Sequence, residues 1–162
     1  MHAVVNNVAP LLFLRFQNIY HSPLSQITLL VTFNVGIQLL TDLLSVSFVD
    51  RIGYRVSMIA AHILSAAGLI LLTVLPEILP ASFAGILISV MIYAVGGGLL
   101  EVLVSPVVEA CPTKHKEKAM SMLHSFYCWG YAGVVLVSTL FFQIAGTENW
   151  KLLALTWAIL PI

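Results

Sequence analysis

The sequence predicts an all-α membrane protein, a bundle of helices crossing a bilayer. Three observations carry this. Only 9% of the 162 residues are charged while 60% are hydrophobic, and the mean hydropathy is +1.01. A soluble domain carries about 25% charged residues. Long apolar runs follow one another along the whole chain, and short breaks rich in Pro, Gly or charge separate them. Seven cations and seven anions are too few to coat a soluble fold of this size, which argues against an ordinary soluble enzyme or a disordered chain. Their zero net charge leaves no basic footprint for nucleic acid. The length admits about five or six spans of ~20 residues.

Six hydrophobic segments can be marked, at about 3–16, 24–49, 56–75, 81–108, 119–145 and 151–162, forming one transmembrane domain over residues 1–162. Helix is the expected form, because in lipid each open segment must pair its own backbone groups. The second segment reaches about 39 Å at 1.5 Å per residue. It exceeds the ~30 Å hydrocarbon core and is expected to tilt or to project into the headgroups. The first and last reach only ~21 and ~18 Å. The simplest expectation is a chain cut at both ends, with partial first and sixth helices. The alternative is a pair of re-entrant or interfacial pieces.

The breaks carry turn chemistry. His21-Ser22-Pro23 and Pro76 to Pro80 read as short loops. Cys111 to Lys118 reads as a polar, basic loop, and Gly146 to Trp150 as a turn with an interfacial Trp. Met1-His2 leads straight into Ala3-Val4-Val5, so no cleaved leader is expected. The two cysteines, Cys111 and Cys128, read as free thiols. Arg51 and Arg55 mark one connection and Lys114, Lys116 and Lys118 another on the same side, against Arg15 and Lys151 opposite. This bias predicts a multi-pass protein with its N-terminus and basic loops in the cytoplasm, and the plasma (cytoplasmic) membrane is the expected location.

Polar residues inside the spans are the candidates for function. Asn34, Gln38, Thr41, Asp42 and Ser45 recur at mostly three- and four-residue intervals, which puts them on one helix face. That face either lines a water-filled path or joins helices through hydrogen bonds. The cost of Asp42 at membrane depth favours the path. Ser89, Tyr93, Gly97 and Glu101 repeat every four residues in the fourth segment. Gly96-Gly97-Gly98 removes side chains beside them, so that a helix or a ligand can come close to the backbone. Glu101 sits about two turns inside the cytoplasmic end. A carboxyl there is either a group that takes up and returns a proton or a structural partner for a nearby His or hydroxyl.

His124, Tyr127 and Tyr131 share a face of the fifth segment, with Ser121 one turn earlier. They suit stacking and hydrogen bonding to a small polar ligand, or core packing. Asn6 and Asn7 lie where they could face the same path. His62 reads as a packing histidine. The His and Cys spacings suggest no metal site, and no cofactor is expected.

The connection between the second and third segments resembles a known signature. Asp50, Arg51, Gly53 and Arg55 match the cytoplasmic loop of the major facilitator superfamily, with Val46 where that signature opens on Gly. In the family the cluster latches the cytoplasmic side, and Glu109 is the partner this implies here. Gly97-Gly98-Leu99-Leu100-Glu101 and Leu123-His124-Ser125-Phe126-Tyr127, with Gly130 after it, look like the fucose:proton symporter branch. That branch also has an acidic residue in its first span, where this chain has none before Asp42.

The resemblance implies the N-terminal six-helix half of a major facilitator fold, its first and sixth helices truncated. It implies a fragment of a secondary active transporter, not an enzyme, that moves a small polar solute such as a sugar by alternating access, coupled to protons. Glu101 would couple the proton. Asn34, Gln38, Asp42, Tyr93, His124, Tyr127 and Tyr131 would line the solute path. Asp50, Arg51, Gly53, Arg55 and Glu109 would form the latch. The partners implied are the solute, protons, the lipid bilayer and a C-terminal six-helix half or a second copy. A homodimerising half-transporter and a non-transporting membrane partner or receptor are the alternatives.

Overall fold

The computed structural model describes residues 3–4, 6–8, 10–12, 24–112 and 115–159. Arg15, His21-Ser22-Pro23, Lys114, residues 13–16 and residues 160–162 lie outside the described residues. Helix α1 is described at residues 3–4, 6–8 and 10–12. It is followed by α2 (Leu24–Ile52), α3 (Tyr54–Ile78), α4 (Ser82–Ala110), α5 (Lys116–Ala145), a 3-10 turn (Thr147–Asn149) and α6 (Trp150–Ile159). The described residues thus form seven helical elements and no strand. Leu24–Ser45, α3, α4 and α5 are long and apolar enough to cross a membrane.

Two expected loops are helix instead, and a third is shortened, with Lys116, Glu117 and Lys118 in the first turn of α5. The connection from Ser45 to Arg55 is helical except at Gly53. There φ is +91°, a value open to glycine and costly for other residues. The Gly53 amide still donates to Val49 O at 2.8 Å, so the chain kinks through one residue rather than looping. The second correction is at Pro76, which lies inside α3 and is buried, so the loop shrinks to Leu79–Ala81. Here α4 packs directly on the proline turn: a Cβ on Gly85 would fall 2.7 Å from the carbonyl carbon of Leu75 and 2.8 Å from the Pro76 nitrogen.

The bundle is built on the α3–α4 pair. A Cβ on Gly68 would lie 2.6 Å from that of Tyr93, so the two backbones meet with no side chain between them. Leu69, Leu72, Ile86, Val90 and Tyr93 fill this seam. Val4, Val8 and Leu12 of α1, Ile27 and Leu30 of α2, Val134 of α5 and Trp150 and Ala158 of α6 close around it. A second cluster joins Val49, Ala61, Leu99, Leu100 and Leu103 toward the other end. At the 3-10 turn an ion pair between Lys151 and Glu77 ties α6 to the end of α3. Trp157 Nε1 donates to Ser138 Oγ at 3.1 Å, joining α6 to α5.

Outside, the chain is greasy. Leu43, Trp129 and Ile144 are 73%, 77% and 86% exposed. On α2 the usual arrangement is inverted, with Asn34, Thr41 and Ser45 buried and Leu39, Leu40, Leu43 and Leu44 exposed. In water this surface would cost about 25 cal/mol per Å², and in hydrocarbon that penalty is gone. Hydroxyls on the outer faces are satisfied within their own helices. Thr32, Thr139 and Thr156 donate to the carbonyls of Thr28, Val135 and Leu152 at 2.7–2.9 Å. Each backbone turn thereby supplies the partner that lipid lacks.

Candidate functional site

The polar face predicted on α2 exists and points into the bundle. Gln38 Nε2 donates to Asn34 Oδ1, one turn back, at 3.2 Å, and to Asn6 Oδ1 on α1 at 2.8 Å. Ser45 donates to the Asp42 carbonyl at 2.7 Å. Gly98 of α4 is what lets α4 lie on this face. A Cβ there would fall 3.0 Å from the Gln38 carbonyl oxygen and 3.2 Å from Asp42 Oδ1. The neighbouring Gly96 presses the other way, into Ser65 of α3. At these two glycines of the triple, the missing side chains serve close helix approach.

From Asn6 the polar line continues to α5. The Asn6 side chain and the Tyr127 hydroxyl are hydrogen-bond neighbours, with Glu101 and Tyr131 close by. The Tyr127 and Tyr131 rings are tilted at 55° with centroids 6.0 Å apart. Between α4 and α5 lies a cleft of about 270 Å³ lined by Leu100, Glu101, Val104, Ser105, Leu123, His124 and Tyr127. The sequence candidates Glu101, His124 and Tyr127 therefore share one cavity wall. Ser105, one turn after Glu101, joins them, and the same four-residue spacing could have found it. Asn6 is the residue that connects the two sides. Its only signal in the sequence is a polar side chain in an apolar segment.

Tyr93 is not brought to this wall. It is fully buried against α3 at Gly68, and its hydroxyl has no partner among the described residues. Ser89, at the start of the same four-residue repeat, is buried too and donates to the Gly85 carbonyl at 2.8 Å. A four-residue repeat on a helix of 3.6 residues per turn drifts by about 40° each time, or about 120° from Ser89 to Glu101. The repeat therefore winds from the α3 seam to the cleft. His62 Nδ1 bonds the Met58 carbonyl at 2.8 Å, within α3.

The charged junction is partly assembled. Asp50 and Arg51 end α2, Arg55 follows in the first turn of α3, and all three are exposed. Tyr54 Oη donates to Asp50 Oδ1 at 3.5 Å. Glu109 is exposed near the end of α4, and among the described residues no ion pair joins it to Arg51 or Arg55. No group of three or more His, Cys, Asp or Glu that could hold a metal occurs among the described residues.

A family model described as Major Facilitator Superfamily matches residues 1–162. No curated protein and no solved structure matches the chain.

Proposed function

The chain belongs to the major facilitator superfamily, whose members are transporters rather than enzymes, and from that membership we propose that it forms one wall of the solute path of a proton-coupled secondary transporter for a small neutral polar solute, a sugar being the type. The observation that carries this is the polar line from Asn34 through Gln38 and Asn6 to Tyr127, ending at the cleft that holds Glu101 and His124. Amides, a phenol and an imidazole supply the mixed donors and acceptors that a hydroxyl-rich solute needs. The paired tyrosines offer a flat apolar surface for its ring.

Glu101 is the proton carrier in this reading, because a carboxyl at membrane depth is costly while charged and releases that cost when protonated. The cavity is small for a ligand pocket, which spans about 300–1,000 Å³. A second wall completes it, from a C-terminal six-helix half or from a second copy. Among the described residues, nothing lies within 4 Å of where a Cβ would sit on Gly36 of α2 or Gly133 of α5, so other helices have room to approach there. Alternating access then rocks the two walls about the solute. Asp50, Arg51 and Arg55 form the latch on the cytoplasmic side, the side of the N-terminus, and Glu109 meets them when that side closes.

Uptake of radiolabelled hexoses into proteoliposomes under an imposed pH gradient tests the reading. Gradient-driven accumulation is expected, and Glu101→Gln is expected to abolish it while sparing solute exchange at equal pH. Accumulation that survives Glu101→Gln sinks the coupling role, and a wild type that takes up no hexose sinks the solute class.

A further inference from the structure

Helices α3 and α4 each contain a proline, and the bundle holds the two differently. Pro76 of α3 is buried, with Gly85 of α4 packed on its turn. Pro106 of α4 instead divides a held part of its helix from a loose one. Before it, every residue from Gly96 to Leu100 is buried, and Leu99, Leu100 and Leu103 pack with Ala61 of α3 and Val49 of α2. After it, Val107 is 38% exposed, and Glu109, Ala110 and Cys111 are exposed as well. Proline has no amide hydrogen, so the Val102 carbonyl loses its helical partner at the boundary between the two parts.

The end beyond Pro106 is weak in two further ways. Helix α4 closes at Cys111 in an extended conformation rather than on a left-handed glycine, and the Cys111 amide reaches back only to Val108 O, at 3.2 Å. Glu109 lies in the last turn, where the free carbonyls carry negative partial charge, and no basic residue shares that turn. Arg55 has the mirror problem. It lies in the first turn of α3, where the free amides carry positive partial charge, and no acidic residue shares that turn. Each of these charges opposes its own helix, and pairing relieves both. Arg51, in the last turn of α2, is already favourably placed.

We propose that Val107–Ala110 is a hinged end of α4, which swings about Pro106 while the turns before it stay fixed to α2 and α3. Helix α4 then changes shape during transport and does not rock as one rigid rod. The hinge rests on packing and backbone bonding. Its use, to carry Glu109 to Arg55, rests on the reading of the chain as one wall of a transporter.

Hydrogen–deuterium exchange, read by mass spectrometry on the protein in nanodiscs, tests the hinge. The amides of Val107–Cys111 are expected to exchange about tenfold faster than those of Leu99–Leu103, the factor that one hydrogen bond is worth. Pro106→Ala gives the Val102 carbonyl a donor. It is expected to slow the amides beyond position 106 by about the same factor and to leave those of Leu99–Leu103 unchanged. Glu109→Gln, which takes the opposing charge away, is expected to slow them too.

Equal exchange on both sides of Pro106 in the wild type overturns the hinge, and so does exchange at Val107–Cys111 that neither variant alters. In hexose uptake, Pro106→Ala is expected to lower the maximal rate several-fold at an unchanged half-saturation concentration. A maximal rate equal to that of the wild type overturns the use of the hinge in transport. If wild type takes up no hexose, the solute reading falls while the exchange pattern still decides the hinge.

Discussion

Gly96 of α4 lies so close to Ser65 of α3 that a Cβ on the glycine would fall 2.4 Å from the serine hydroxyl and 2.7 Å from its backbone nitrogen. Gly96→Ala is therefore expected to force α3 and α4 apart and to cost about 1–3 kcal/mol, the usual range for overpacking. Ser65→Ala is not expected to rescue it, because the backbone nitrogen and the Ala61 carbonyl oxygen at 2.8 Å remain in the way. Gly36→Ala is the control. Its Cβ meets nothing within 4 Å among the described residues, and as a helical Gly→Ala change it is expected to gain about 0.5–1 kcal/mol. Reversible unfolding in mixed micelles measures all three.

Gly53 is the single non-helical residue between α2 and α3, at φ +91° and ψ 146°. Gly53→Ala is expected to cost about 1–3 kcal/mol in backbone strain. Gly53→Asn is expected to cost as much, since the left-handed helical region that Asn tolerates has ψ near 47°. The same unfolding assay reads both, and an Asn variant as stable as wild type would contradict the strain argument.

The Lys151–Glu77 pair joins α6 to α3, with side chains 37% and 58% exposed. Exposed pairs contribute about 0–1 kcal/mol. Glu77→Gln is expected to cost no more than that at low salt and nothing measurable near 1 M, where the screening length is about 3 Å. Unfolding at the two salt levels gives the comparison.

The Trp157–Ser138 hydrogen bond crosses from α6 to α5 at 3.1 Å. Side-chain hydrogen bonds between spanning helices average about 0.6 kcal/mol. A double-mutant cycle of Trp157→Phe and Ser138→Ala is expected to return a coupling near that value. A coupling near zero would mean that α6 is held by the packing of Trp150, Leu153 and Ala158 and by the Lys151–Glu77 pair.

Much of the site was legible because period and chemistry coincide on α2. Asn34, Gln38, Thr41, Asp42 and Ser45 fall on one stripe, and the stripe faces the bundle. Glu101 and the fifth-span His124 and Tyr127 were legible for the same reason. Tyr93 faces α3 rather than the cleft, because repeated four-residue steps turn a face by about 40° each. Pro76 read as a loop because proline lacks a backbone donor, and only the structure shows the helix running on through it against Gly85. The link from Asn6 to Gln38 spans 32 positions and has no periodic signature.

The sequence by itself determined that this chain is helical and lies in a membrane. Scarce charge and long apolar runs leave water no surface to wet, and lipid leaves each backbone segment only its own carbonyls to bond. Tertiary structure alone decided which side of each helix meets which neighbour. With lipid as apolar as leucine, burial of grease does not orient a spanning helix. Orientation comes from where backbones can touch, at Gly68, Gly85, Gly96 and Gly98, and from which amides find each other across helices, at Asn6 and Gln38.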